Sequence, residues 1–253
     1  MTSREFDAWC RSFLEIDACS SIDASLNGIQ VDGDGSPLLR AAFAVDASLE
    51  SIRRTAALGA NLLFVHHGLF WKGPSRIEGF MRERVKLLLD SNISLYACHL
   101  PLDKHPELGN NAGLARLLGL VEIEPFGLYH GLKIGLKGRF PEPTGLDSAL
   151  RRLSPDGSPP STLIPAGPGL CRTAALMSGA GASDVLSAID EGIDLFVTGE
   201  AEHSIYHPVV ESGINFAALG HYATEIYGVR SVAEKLERET GLETCFIDLP
   251  TGL

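Results

Sequence analysis

Two adjacent histidines, His66 and His67, close an apolar run, FVHHGLFW over residues 64–71. Imidazole suits zinc, iron, nickel and copper. Neighbouring residues on a strand face opposite sides, so both rings serve one site only if the chain is turning there, which Gly68 permits. The alternative is one buried and one exposed histidine. The next apolar run, ISLYACH, ends at His99 and leaves through Leu-Pro-Leu to Asp103. Pro101 stiffens that exit, and Asp103 is then either a ligand held in a fixed direction or a helix cap or turn former. A third cluster, Gly220-His221-Tyr-Ala-Thr-Glu225, sets His221 and Glu225 four residues apart, on one face of a helix, as a surface pair or as two ligands. Three imidazoles and two carboxylates are more than one zinc site uses. The set predicts a dinuclear centre, with Asp103 or Glu225 and a water bridging ions ~3.5–4 Å apart.

These residues need strand ends to carry them, because in open α/β sheets ligands bind at the carboxyl edge. The hydrophobic pattern supplies such ends. Phe6, Trp9 and Phe13 lie at helical spacing within residues 2–18, behind Thr2 or Ser3 as cap. Strands are predicted over 41–46, 61–66 and 93–99, alternating with helices over 48–58, 78–91 and 111–118. This is the β-α-β-α rhythm of a mostly parallel sheet with helices on its faces. Residues 131–140 alternate like an edge or antiparallel strand, and 144–153 read as a helix. Residues 154–169, dense in Pro, Gly and Ser, predict an irregular connection. Strands then recur over 171–177, 194–198, 215–219 and 243–249, with helices over 182–191, 202–211 and 223–239. The expected fold is two-lobed α/β in three layers, α/β/α, with mixed, mostly parallel sheets. Residues 1–125 and 215–253 form the metal-bearing lobe, and 126–214 form the second.

The 253 residues carry 21 Lys plus Arg against 32 Asp plus Glu, a formal charge of −11 that repels phosphate backbones and anionic lipids. Nucleic acid and membrane are therefore disfavoured partners. Two divalent ions would bring the charge to about −7 and put positive charge at the pocket, so a small anionic substrate is compatible. Five widely spaced cysteines without a CxxC predict neither a disulfide framework nor a zinc knuckle. The mixed-charge N-terminus is not a signal peptide, and no apolar run spans a bilayer, so a cytoplasmic location is expected.

Weaker signals surround the ligands. His99 is either a support for a metal ligand or a satisfied core histidine. Glu200 ends the run DLFVTGE, and with Glu202, His203 and His207 it is a candidate general base or substrate holder; Glu202 and His203 also suit a plain helix start. Asn110 and Asn111 read as helix caps. Ser178-Gly-Ala-Gly-Ala-Ser183 is a tight turn more than a phosphate cradle, lacking the third glycine and the lysine of phosphate-binding loops. Phe70, Trp71, Tyr222 and Tyr227 either stack on a ring-shaped substrate or wall the metal pocket.

The motifs NGIQV at 27–31, HHGLFW at 66–71, HLPLDKHPELGNN at 99–111, TGE at 198–200 and GHYATEIYGV at 220–229 together resemble the Nif-three-like family, whose members carry the description GTP cyclohydrolase 1 type 2 homologue. The resemblance runs in order from residue 27 to 229. It implies a two-metal site made by His66, His67, Asp103, His221 and Glu225. It also implies a two-domain α/β fold and a ring-shaped homohexamer, a trimer of dimers, with metal sites facing an inner cavity. Leu100 stands where many members carry threonine, and the large central insertion of longer members is absent.

The expected function is metal-dependent hydrolysis with zinc or iron, or manganese, as cofactor. Candidate substrates are GTP, by ring opening, and a phosphoester or amidine-like bond in a small molecule. The rival expectation is a non-catalytic ring that stores or delivers metal or serves as a regulatory platform. His99 and Glu200 are the candidate catalytic side chains beside the ligands.

Overall fold

The computed structural model describes residues 1–73 and 75–253. The chain is a mixed α/β fold with two mixed sheets, and it divides into two compact units. The first comprises Met1–Leu102 with Gly228–Leu249, and the second comprises Asp103–Tyr227 with Pro250–Leu253.

In the first unit the order is α1 (Ser3–Arg11), β1 (Gly28–Val31), β2 (Ala41–Asp46), α2 (Leu49–Ala57), β3 (Leu62–His67), α3 (Gly79–Asp90), β4 (Ser94–Ala97) and the start of α4 (Leu100–Asp103). The second unit holds α5 (Asn110–Leu118), β5 (Val121–Tyr129), β6 (Leu132–Gly145), α6 (Leu146–Leu153), β7 (Thr162–Pro165), β8 (Leu170–Met177), α7 (Val185–Asp190), β9 (Leu195–Thr198), α8 (Tyr206–Ser212), β10 (Asn215–Ala218) and the start of α9 (His221–Thr240). The rest of α9 and β11 (Thr244–Phe246) belong again to the first unit.

The first sheet runs β1-β4-β3-β2-β11, parallel except for β1 against β4. Alternation along the strands sorts two faces. Phe64 and Tyr96 meet Phe6 of α1, whose ring lies 5.2 Å from that of Tyr96 and 6.3 Å from that of Phe64, and Phe43 packs on Phe64 beside them. The other face, Ala42, Ala44, Leu63, Val65, Leu95 and Ala97, packs on Ile52 of α2 and Leu88 of α3. This unit is thus the expected α/β/α sandwich. Truncating Phe64, fully buried between these neighbours, costs about 3–5 kcal/mol. Helix α1 is shorter than the 2–18 pattern. It opens on a capping box in which the Thr2 side chain accepts from Glu5 N and Glu5 accepts from Thr2 N, and it stops at Arg11, where the chain goes into turns.

The second sheet runs β5-β6-β8-β9-β10-β7, with β8, β9 and β10 parallel and the other pairings antiparallel. One face packs on Leu114 and Leu118 of α5 and Leu153 of α6, while Phe126, Phe196 and Phe216 form a row on the opposite face. Strands β1 and β5 were not anticipated. Strand β7 falls in the stretch expected to be irregular, because its Leu163 and Ile164 pair with Ala217 and Phe216 at the sheet edge.

The unit boundaries fall at Leu102/Asp103 and Tyr227/Gly228, where the pattern had suggested 125/126 and 214/215. Two packing relations set the difference: α5 lies on the second sheet, and β10 pairs with β9, its predecessor in the chain. The expected ligands therefore come from the carboxyl ends of strands in two sheets. No helix among the described residues is long and apolar enough to cross a membrane.

Candidate metal centre

In the first unit, parallel β2, β3 and β4 end side by side. His67 ends β3 opposite Asp46, which ends β2, and its Nδ1 donates to Asp46 Oδ1 at 2.9 Å. His66, wholly buried, donates from Nδ1 to the Cys98 carbonyl at 2.9 Å. His99 donates from Nδ1 to Asp23 Oδ1 at 2.8 Å. The ring centroids are 4.7 Å apart for His66 and His67, 5.0 Å for His66 and His99, and 5.6 Å for His67 and His99. One ring nitrogen of each lies within 4.8 Å of the other two. An acceptor on Nδ1 fixes the proton there and leaves the metal-binding lone pair on Nε2.

The motif at 27–31 braces this cluster. Asn27 Oδ1 accepts the His99 amide at 2.8 Å, and Asn27 Nδ2 donates to Asp23 Oδ2 at 2.8 Å. Gln30 Oε1 accepts the Leu69 and Phe70 amides, pinning the turn after the histidines. A Cβ on Gly68 would run into the Gln30 side chain and push its amide off the turn. Trp71 lies edge-on to His99, with centroids 5.1 Å apart, and walls the imidazoles, whereas Phe70 packs into the aliphatic core.

In the second unit, β8, β9 and β10 end at one edge, and their exits are knitted together. The Gly179 carbonyl accepts the amides of Gly199 and Glu200, both at 3.0 Å, and the Gly199 carbonyl accepts that of Gly220 at 2.8 Å. His221 and Glu225 then stand on the first turn of α9. His221 donates from Nδ1 to Glu200 Oε1 at 2.5 Å, and its Nε2 lies 3.2 Å from Glu225 Oε1. The hydrogen bond to Glu225, opposed by burial and assisted by Glu200, pushes the His221 imidazole up to about 9. Gly179 has φ of +64°, and a Cβ there would strike Glu225 Oε1.

Asp103 is buried, and its Oδ1 accepts from Asn110 Nδ2 at 2.8 Å and Ser178 Oγ at 2.9 Å. Asn110 and Asn111, expected as caps, are wholly buried instead, and Gly109 is the N-cap of α5. Asn111 Oδ1 accepts the Ser178 amide at 2.8 Å. The Ser178–Ser183 loop is a turn whose amides are engaged: Gly179 N donates to Thr224 Oγ1 and Gly181 N to Thr198 Oγ1. Those amides do not face a phosphate. Glu202, His203 and His207 are exposed, and Tyr227 packs with the core beneath α5.

His66, His67 and His99 thus meet in the first unit, and Glu200, His221 and Glu225 in the second, with Asp103 held in the second by its own donors. The pattern missed Asp23, Asp46 and Ser178, the side chains that hold the ligands. Only a carboxylate at the end of β2, next to the histidine strand, carried any signal for one of them. Buried and half-buried donors of this type, each imidazole backed through Nδ1 by an oxygen acceptor, fit a borderline transition metal.

The family model Duf34/NIF3 (NGG1p interacting factor 3) matches residues 1–251. Curated relatives described as GTP cyclohydrolase 1 type 2 homolog include one from Archaeoglobus fulgidus, 44% identical over 95% of each chain, and one from Treponema pallidum, 42% identical over all of both chains. A solved structure from Thermus thermophilus is similar over 100% of both chains, with a TM-score of 0.89 and 41% identity. This chain belongs to the Duf34/NIF3 family.

Proposed function

We propose that the chain is a metal-dependent hydrolase with two divalent transition-metal ions, zinc or iron, or manganese, held by His66, His67, Asp103, His221 and Glu225. The observation that carries this reading is the backing of the imidazoles. His66, His67 and His221 each give Nδ1 to a carbonyl or carboxylate, the arrangement by which proteins orient histidine toward a metal. The names of the relatives support hydrolysis of a nucleotide-like bond.

When bound, the ions supply Lewis acidity and an activated water. The residues do the rest. Asn110 and Ser178 both donate to Asp103 Oδ1 and so fix the orientation of its carboxylate. Glu225 and Asp103 would supply the carboxylate ligands of the ions. Glu200, half exposed beside His221, holds that ring and takes a proton from substrate or water. Trp71 walls the imidazoles and limits solvent access. In this reading the substrate is a small molecule, GTP or another phosphoester or amidine, and the protein works in the cytoplasm as a homohexameric ring whose sites face inward.

A second reading, metal storage or delivery, has one observation in its favour: His221 and Glu200 are 28% and 47% exposed, open enough for exchange. The two part on turnover. Metal-loaded protein is assayed on GTP, a model phosphodiester and a metabolite panel. Hydrolysis above free metal, abolished in Asp103→Ala, supports the hydrolase. Full loading without any turnover, together with metal that chelators remove readily, supports storage.

A further inference from the structure

In the second unit, a cavity of about 540 Å³ lies between β7 and the stretch that leads from β9 into α8. It opens at the edge where β9 and β10 end, because the first residue of β7, Thr162, pairs with Ala218, the last of β10. Ile164 and Ile205, both buried, and Leu163 give it an apolar floor, and Glu202, His203 and Tyr206 stand around it. Small-molecule pockets span about 300–1,000 Å³ and have this make-up, mostly apolar with a few polar groups.

The polar groups select the occupant. Tyr206 is 50% exposed, and His207 crosses it at 83° with ring centroids 5.3 Å apart, which fixes the tilt of the phenol. A half-open aromatic ring beside an apolar floor is a surface on which a planar heterocycle stacks. The Glu202 carboxylate accepts from Ser204 Oγ at 3.2 Å, its one side-chain hydrogen bond among the described residues. An ionised carboxylate has about four lone-pair sites, so it still has room for two N–H donors of a ligand. No Lys or Arg is among the described residues that line the cavity. Phosphate is therefore repelled there, and a ring edge rich in N–H groups is attracted. The guanine ring has such an edge, with its N1–H beside the 2-amino group.

The chain runs from Glu200, which accepts from His221 Nδ1, through Ala201 into this cavity, and two residues span at most ~7 Å. One small molecule reaches both places. We infer that the groove between β7 and α8 binds the planar, N–H-bearing ring of the substrate, stacked on Tyr206 and hydrogen-bonded to Glu202, with the anionic end of the substrate directed toward His221. The direction of the anionic end rests on the hydrolase reading, whereas binding of the ring does not.

The test titrates guanosine, which has the ring and no phosphate, into the full chain stripped of metal. Saturable binding is expected, with inosine, which lacks the 2-amino group, about 10-fold weaker. Tyr206→Ala is expected to weaken guanosine about 10-fold, and Tyr206→Phe to keep wild-type affinity. Glu202→Gln is expected to shrink the guanosine-to-inosine ratio below about threefold, a readout that a merely structural role would not move. Failure of guanosine to bind, or binding that neither Tyr206→Ala nor Glu202→Gln changes, overturns the inference. Guanosine affinity that falls as protein concentration rises shows a second copy of the chain covering Tyr206, and also overturns it. The groove and the hydrolase fail separately. Guanosine binding with the expected responses, in metal-loaded protein that turns over neither GTP nor a phosphodiester, supports the groove and contradicts the hydrolase. GTP hydrolysis with a KM unmoved by Tyr206→Ala supports the hydrolase and overturns the groove.

Discussion

Ser178 Oγ donates to Asp103 Oδ1 at 2.9 Å, joining residues 75 positions apart in the chain, while the Ser178 amide is held by Asn111. The turn after β8 therefore sets the direction of the carboxylate that α4 delivers. Ser178→Ala is expected to lower divalent-metal affinity about 10-fold while leaving the fold intact, read by calorimetric titration with zinc. Asn110→Ala should do the same, and the double variant should be worse than either but less than additive, because both donors serve one oxygen. Unchanged affinity in both single variants contradicts this role.

His221 lies between two carboxylates, and Glu225 is the larger cause of its raised value of about 9. In metal-stripped protein, Glu225→Gln should lower the His221 value further than Glu200→Gln does, as followed by NMR of the imidazole. The sign of the linked stability is set by the direction of the shift. A histidine raised from 6.5 adds stability that is complete below 6.5 and is lost as pH rises through about 9. Denaturant unfolding of stripped wild type and Glu225→Gln across that window should converge at the alkaline end.

Asp23 carries the opposite sign. Its carboxyl is lowered from 3.8 in the folded chain, so it contributes stability above 3.8 that is lost as pH falls through the lower folded value. Asp23→Asn should flatten that part of the acid limb. Asp23→Ala, which strands His99 and three other donors, should cost about 3–5 kcal/mol in denaturant unfolding at neutral pH. A neutral effect of Asp23→Ala would show that the buried carboxylate is not holding His99.

Gly68 and Gln30 make a packing pair. Gly68→Ala pushes a methyl into the Gln30 amide and should cost about 1–3 kcal/mol. Gln30→Ala removes the acceptor for the Leu69 and Phe70 amides and loosens the turn. With Gln30→Ala in place, Gly68→Ala should become nearly neutral, a coupling that a double-mutant cycle measures.

The parallel strands β2, β3, β4, β8, β9 and β10 were legible because buried parallel strands are continuous apolar runs between helical patterns. The short edge strands β1 and β7 and the hairpin strand β5 were not. Gly28–Val31 offers only four residues with a polar Gln30 inside, and β7 sits among prolines and glycines that outvote two aliphatic residues. The histidine clusters were readable from their place at strand ends. The residues that hold them and Asp103 were not, because Asp23, Asp46, Asn110 and Ser178 act across 76, 21, 7 and 75 residues of sequence. The assignment of β10 to the second sheet was likewise hidden, since strand pairing is a long-range choice that local pattern does not encode.

The most direct test of the central claim is the number of ions per chain, counted by elemental analysis after loading with zinc or iron and removal of free metal by gel filtration. The account predicts about two divalent ions in the wild type, with Asp103→Ala and Glu225→Ala each losing at least one. Fewer than one ion per wild-type chain, or a count unmoved by both substitutions in folded protein, would contradict it.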